Sequence, residues 1–229
     1  YVCLMKHYKS QDKSKILEMF TKFTGPIYQI PPFQAAVKRE LRIRRIYEIE
    51  LLEHTSKKTL FRVLCEGGTY IRNLCEDIGS ALGSGAVMDQ LIRTKSGPFK
   101  IEDSVSMIEA HDIYRQWKES NDSSVMKEIL KPLEDMLIDI PVIEAKDSAV
   151  DAICHGADLA VPGVSSVSKD MKRGQLVSIR TSRGEAVALA RATVNADEIA
   201  ANPKSKGKVA KLDRVIMERG TYPREWKTK

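Results

Sequence analysis

Apolar positions along the chain follow two periods. Tyr1–Met5 (YVCLM) is apolar throughout and β-prone, which predicts a buried strand. Ile16, Leu17, Met19, Phe20 and Phe23 recur at helical spacing until Gly25-Pro26 stops them. Pro31-Pro32 forces extended backbone, predicts a loop and leads into Ala35-Ala36-Val37-Lys38-Arg39. Leu41–Leu52 alternates imperfectly and predicts a long strand, with Thr59–Cys65 (TLFRVLC) as its hairpin partner. After the Gly67-Gly68 turn, Ile71, Leu74, Cys75, Ile78 and Leu82 form a helical stripe over 70–82, closed by Gly83. Val87–Thr94 reads as a further strand, and 104–118 and 123–138 as two acidic amphipathic helices.

Beyond Pro141 the periods shorten. Ser148–His155 predicts a small helix ending at Gly156. Gln175–Thr181 and Glu185–Thr193 alternate well, and Ser182-Arg183-Gly184 joins them as a hairpin. Lys208–Met217 is one more strand. Short strands with turn signals and one small helix suggest a compact barrel of about 80–90 residues. The predicted class is α+β in two domains, 1–140 and 141–229, with the boundary near 138–142. No internal repeat is present, and Asn202–Lys208 (NPKSKGK) reads as an exposed basic loop.

With 229 residues, 42% hydrophobic and 30% charged, the chain is of ordinary globular composition, not collagen-like, low-complexity or wholly disordered. No apolar run approaches the ~18 residues of a membrane span. Cys3, Cys65, Cys75 and Cys154 lie far apart without a C-x-x-C, so neither a zinc site nor a redox pair is expected, and an intracellular setting is. The chain opens at Tyr1 inside a strand-like run, from which a fragment of a longer protein is expected. Residues 1–100 carry 17 Lys/Arg against 10 Asp/Glu, a net of +7. Residues 101–160 carry 5 against 14, a net of −9, and residues 161–229 carry 15 against 7, a net of +8. Basic blocks of this kind suit a polyanion such as nucleic acid, and equally a solvated surface with no partner.

No Walker loop, G-x-G-x-x-G or H-E-x-x-H occurs, and His7, His54, His111 and His155 lack metal-ligand spacing. That argues against ATP-, NAD- and zinc-dependent chemistry. One constellation stands out: Cys65-Glu66-Gly67-Gly68-Thr69-Tyr70-Ile71-Arg72 places a strand end, a glycine turn and a helix start together. It delivers Tyr70 and Arg72 to a rim where helix N–H groups also point, and an arginine there can hold a carboxylate or phosphate. The plain alternative makes Tyr70 core and Arg72 surface. Gly25–Pro32 followed by Lys38 and Arg39 could dock on an RNA backbone or serve only as a turn.

The stretches YVCLM (1–5), GPIYQIPPFQAAVKR (25–39), CEGGTYIRNLCEDIGSALG (65–83) and LIRTKSGPF (91–99) resemble the archaeal and eukaryotic H/ACA-type pseudouridine synthases, the dyskerin family, a branch of the TruB-like enzymes. KDSAVDAICHGADLAVPG (146–163) and RVIMERGTYPREW (214–226) resemble that family's PUA domain. The resemblance implies the C-terminal part of a mixed-sheet catalytic domain followed by a small β-barrel PUA domain. It implies conversion of uridine to pseudouridine in rRNA, with tRNA a further substrate class, without cofactor or metal. The lack of a long Lys-rich tail favours the archaeal form and hence a cytoplasmic location, a eukaryotic form being nucleolar.

Residue by residue, the resemblance makes Tyr1 the tyrosine that stacks on the target base and a candidate for removing the C5 proton, and Tyr70 and Arg72 the pocket pair of T-Y-I-R, the arginine facing the catalytic Asp. Leu91 and Arg93 match the last motif, usually L-R-R-T, with Ile92 replacing the first arginine. The family's nucleophilic Asp lies in a G-T-L-D-P motif that this chain does not contain, and Asp12, Asp77 and Asp89 stand in other contexts. An active site lacking its nucleophile is therefore expected. A tyrosine with an ordinary pKa near 10 is a poor base at neutral pH, which favours stacking for Tyr1. His155, Gly156 and Asp158 fall in the stretch resembling the PUA contact with guide RNA. The implied partners are guide RNA and substrate RNA, a small rod-like protein on the catalytic domain, a Gar-type barrel protein and a kink-turn-binding protein. The alternative is a non-catalytic RNA-binding module; a PUA-bearing methyltransferase is disfavoured by the matches at 65–83 and 91–99.

Overall fold

In the computed structural model, which describes residues 1–33, 36–203 and 205–224, the chain forms two compact units. The first is Tyr1–Ser96 with Lys100–Asp103, the second Gly97–Phe99 with Ser104 onward. Ala35 of the run after the diproline, Lys204 of the basic loop and Glu225-Trp226 of the last matching stretch lie outside the described residues.

The first unit runs β1 (Val2–His7), α1 (Lys13–Phe23), β2 (Gly25–Gln29), β3 (Arg42–Thr55), β4 (Lys58–Cys65), α2 (Ile71–Ala81) and β5 (Ala86–Ile92). Its sheet has the order β2-β3-β4-β1-β5, with antiparallel ladders. Side chains alternate across a strand, so Cys3, Met5 and His7 of β1 share one buried face. There the apolar members meet Ile46, Phe61 and Val63 of the neighbouring strands and Ile16, Phe20, Leu74, Cys75 and Ile78 of the two helices. The Cys3 and Cys75 sulfurs lie 3.6 Å apart as free thiols. That contact and burial push the Cys75 thiol up, so it stays protonated.

Gly25-Pro26 ends α1 but also begins β2, a strand within a stretch whose plain reading is a turn. β2 is the sheet edge, where a proline's missing N–H breaks no inner ladder.

A two-residue ladder of β6 (Lys95–Ser96) and β7 (Phe99–Lys100) follows. In the second unit α3 (Met107–Ser120) begins with a capping box of Ser106 and Glu109. The second acidic helix expected over 123–138 does not form; two short 3₁₀ turns, Val125–Glu128 and Leu133–Leu137, replace it. Pro132 divides the stretch, since it lacks an N–H and keeps Lys131 from helical backbone.

Beyond 141 lie β8 (Val142–Ala145), α4 (Asp147–Cys154), β9 (Leu159–Ala160), β10 (Val164–Val167), β11 (Leu176–Arg180), β12 (Ala186–Ala192), α5 (Ala196–Ala201) and β13 (Lys208–Val215). The sheet order is β10-β8-β11-β12-β13-β9, with one parallel ladder, β8–β11. Its two edges, β9 and β10, are separated in sequence only by Val161–Gly163. Edges joined by so short a turn must meet, which curls the sheet into a barrel. Ile143, Val177, Ile179, Val187 and Val209 fill it, with Val150 and Ile153 of α4. β8, β9, β10 and α5 are too short to show a period in the sequence. Among the described residues no helix is long and apolar enough to cross a membrane.

Candidate active site

The turn that launches α2 is built by Glu66. Its carboxylate accepts from the Arg45 N–H at 3.1 Å and lies 3.4 Å from the Arg44 guanidinium. Arg44 Nε in turn donates to the Gly68 carbonyl at 3.3 Å. Gly68 has φ +80°, a conformation that glycine adopts without steric cost. Thr69 donates its hydroxyl back to the Glu66 carbonyl at 2.7 Å. Tyr70 is the residue before the first helical turn, and α2 has no side-chain cap. The positive end of the helix dipole is thus presented at Tyr70–Arg72.

Tyr1 reaches the same place from β1. Its carbonyl accepts from Val63 N–H at 2.9 Å, so it continues the strand toward the start of α2. The β1–β5 register sets Cys3 opposite Leu91 and Val2 opposite Ile92. One step further along the ladder, the Arg93 guanidinium stands 5.2 Å from the centre of the Tyr1 ring.

A cavity of about 500 Å³ results, lined by Tyr1, Tyr70, Arg72, Leu91 and Arg93 together with Pro32, Thr69 and Met88. The five pocket candidates from the sequence thus share one wall. Among the described residues, none that lines the cavity is acidic. Arg72 is exposed, in keeping with a guanidinium available to an anion. Ile92, where the motif usually has arginine, is 52% exposed and does not line the cavity. At the end of β4, burial pushes the Cys65 thiol up.

Lys38 and Arg39 lie outside the cavity lining. Lys38 is exposed and pairs with Glu40. Arg39 donates to the Pro31 carbonyl at 3.3 Å and sits 5.8 Å from the Phe33 ring centre.

In the second unit, His155 closes α4, and its Nδ1–H donates to the Asp151 carbonyl at 2.8 Å. Gly156 follows with φ +98°, which reverses the chain. Asp158 accepts from the Leu212 N–H at 2.8 Å and from Lys208 Nζ at 2.9 Å. These two bonds hold its carboxyl below the usual carboxylate range and pin β13 to the turn after α4. Sequence reasoning did not single out Pro32, Thr69 or Met88 as pocket lining. Pro32 and Thr69 stand inside stretches already quoted, but nothing local marks Met88.

Comparison with known proteins places the chain in a family. The family model for the TruB family pseudouridylate synthase N-terminal domain matches residues 2–71, that for the tRNA pseudouridylate synthase B C-terminal domain residues 72–138, and that for the PUA domain residues 141–216. A probable tRNA pseudouridine synthase B of Methanocaldococcus jannaschii is 50% identical over 229 residues, covering 100% of this chain and 68% of the relative. Its counterpart in Methanosarcina barkeri is 47% identical, covering 100% of this chain and 67% of the relative. Among solved structures, a Cbf5–Nop10–Gar1 complex superposes with TM-score 0.86 at 42% identity, over 97% of this chain and 68% of the matched one. An H/ACA RNP bound to a substrate RNA containing 2′-deoxyuridine matches with TM-score 0.85 at 40% identity, over 98% and 68%. The chain belongs to the TruB family of pseudouridine synthases, and its fold is a TruB catalytic domain followed by a PUA domain.

Proposed function

We propose that the chain supplies the base-binding wall and the RNA-gripping module of an RNA-guided H/ACA pseudouridine synthase acting on rRNA, with tRNA a further substrate class. Residues 1–140 form the catalytic part and 141–229 the RNA-binding part. The observation that carries the reading is the cavity: Tyr1, Tyr70, Arg72, Leu91 and Arg93, dispersed over the sequence, meet in a space of about 500 Å³.

That space suits a uracil taken out of its stack. The Tyr1 ring offers a platform for the flipped base, and Tyr70 a second aromatic group at the cavity wall. Arg72, at the positive end of α2, keeps a facing carboxylate ionised and nucleophilic. Among the described residues no cavity-lining side chain is acidic, and the family resemblance supplies the attacking carboxylate as the Asp of a G-T-L-D-P motif that residues 1–229 do not contain. The relatives are longer than this chain, which covers 68% of the M. jannaschii protein.

Similar solved structures are complexes with Nop10 and Gar1 and an H/ACA RNP bound to a substrate RNA, which supports partners of the same kinds here: guide RNA, substrate RNA, a small rod-like protein and a Gar-type barrel protein. A kink-turn-binding protein completes the assembly. The basic second part, with its His155-Gly156 turn, grips the 3′ ACA end of the guide, and base pairing selects the target. No step calls on a cofactor or metal.

The test is single-turnover conversion of a guided substrate RNA, with partners present. The chain bearing the G-T-L-D-P segment at its N-terminus turns over; residues 1–229 alone do not. Turnover by residues 1–229 alone overturns the assignment of the nucleophile. No turnover by either chain, with RNA binding intact, favours the non-catalytic RNA-binding module, a reading that the acid-free cavity also fits.

A further inference from the structure

Gln29, the last residue of β2, is 3% exposed, an unusual setting for a side-chain amide unless both its polar atoms are engaged. They are, and by one residue. Its Oε1 accepts from the Tyr70 N–H at 2.9 Å, and its Nε2 donates to the Tyr70 carbonyl at 3.1 Å. A side-chain amide thus pairs with a backbone residue 41 positions away much as a neighbouring strand would. Tyr70 needs this. It precedes the first turn of α2 in extended conformation, φ −92° and ψ 104°, and a tyrosine cannot cap a helix with its own side chain. A second tether runs in parallel: Asn73 Nδ2 donates to the Ile30 carbonyl at 2.8 Å. The first turn of α2 is therefore sewn to the Gln29–Ile30 segment, and that turn carries Tyr70 and Arg72 into the cavity wall.

We propose that Gln29 is a positioning residue for the reaction: by clipping both backbone groups of Tyr70 it fixes the turn from which Arg72 projects into the pocket. Gln29 lines no part of the cavity and acts through the turn it holds. The inference rests on the pseudouridine synthase reading of the cavity. The amide satisfies a donor and an acceptor together. Methionine, close in length, satisfies neither, and glutamate keeps the acceptor but sets a negative charge against the Tyr70 carbonyl.

Gln29→Met and Gln29→Glu, each alone and combined with Arg72→Ala, test this in the enzyme carrying the G-T-L-D-P segment, with its partners and RNA. Gln29→Met is expected to lower the single-turnover rate about tenfold or more with RNA affinity unchanged, the scale of a lost buried hydrogen-bond pair. Gln29→Glu should fall between methionine and wild type. In the Arg72→Ala background either change should cost less than about twofold, because the group that Gln29 positions is gone. A merely structural glutamine would cost the same in both backgrounds. Amide hydrogen exchange adds a readout free of catalysis: the Tyr70 N–H should exchange at least about tenfold faster in Gln29→Met, with Ile78 unchanged.

A Gln29→Met rate within about twofold of wild type, or a full loss persisting beside Arg72→Ala, overturns the proposal. Should methionine prevent folding, Gln29→Glu decides by the same two criteria. An enzyme in which the wild type gives no turnover defeats the functional reading instead, and the exchange rate at Tyr70 then decides the clip alone.

Discussion

The guanidinium of Arg93 stands 5.2 Å from the centre of the Tyr1 ring, so the residue just before β1 is faced by a cation carried just beyond β5. In the proposed function the opposite face of the ring stacks on the target base and the hydroxyl is secondary. Tyr1→Phe in the complete enzyme should keep the stack and hold the single-turnover rate within about tenfold of wild type. Tyr1→Ala should lose about 1–3 kcal/mol, the value of one stacked base. A phenylalanine variant as slow as the alanine variant would show that the hydroxyl takes the C5 proton.

Arg72 is exposed at the mouth of α2. Placed there, it should matter to chemistry more than to RNA binding. Arg72→Ala should lower the single-turnover rate about a hundredfold, near 3 kcal/mol, as a carboxylate deprived of its partner drifts toward its neutral form. Arg72→Lys should restore only part, because an ammonium does not reproduce the planar fork. A variant that keeps its rate but loses RNA affinity would recast Arg72 as a phosphate clamp.

Gly79 lies inside α2, where alanine would ordinarily be the better helix residue by about 1 kcal/mol. Here a Cβ would meet the Ala86 backbone nitrogen at 2.1 Å and the Ala86 Cβ at 2.6 Å. Overpacking against backbone should outweigh propensity, and Gly79→Ala should destabilise by about 1–3 kcal/mol. Urea unfolding of the 229-residue chain measures it; a stabilised variant would mean that α2 and β5 separate at little cost.

His7 is buried, and its protonation should weaken the fold. Its Nε2 lies 2.8 Å from Thr59 Oγ1, and the same hydroxyl lies 2.9 Å from His54 Nδ1. His54 Nε2 must donate to the Gln11 carbonyl at 3.0 Å, so neutral His54 accepts from Thr59, and Thr59 accepts from His7 Nε2–H. His7 Nδ1 is left as a buried acceptor without a partner. Burial, and secondarily the proximity of His54, holds the His7 pKa below its usual value. Between that lowered value and the ordinary value of about 6.5, the unfolded chain binds more protons than the folded one. Stability should accordingly be complete above about pH 6.5 and decline as the pH falls through it. His7→Gln should flatten that decline between about pH 7 and pH 5.5 in thermal melts. An unchanged slope would place the acid sensitivity elsewhere.

Residues 161–229 carry 15 Lys/Arg against 7 Asp/Glu, and the chain should bind RNA with steep salt dependence. Each phosphate contacted in a duplex should contribute about 0.9 log units of affinity per log unit of salt. Titration with RNA ending in 3′ ACA or in a scrambled end tests the specific role of the His155–Asp158 turn. Equal affinity for both would reduce it to general electrostatics.

Much of the architecture is written locally. The apolar run of β1, the Ile71-Leu74-Cys75-Ile78 stripe of α2 and the Ser182–Gly184 hairpin are short-range patterns, and each forms as its period predicts. Tyr70 and Arg72 stand out locally beside a glycine turn, with core and surface roles still open there, whereas Tyr1, Leu91 and Arg93 are singled out only by the family resemblance. Even the missing second acidic helix has its cause in the chain, at Pro132. What the sequence could not decide is what depends on register and closure. Tyr1 meets Arg93 only because β1 and β5 pair with Val2 opposite Ile92. Gln29 reads as one residue of a turn until its amide is found on Tyr70. Gly79 looks replaceable until Ala86 closes on it. β9 and β10 are too short to be seen before the sheet curls to bring its edges together. Local periodicity reports which face of an element is buried; which distant residue it is buried against is set by the strand ladders and helix packing that only the folded chain contains.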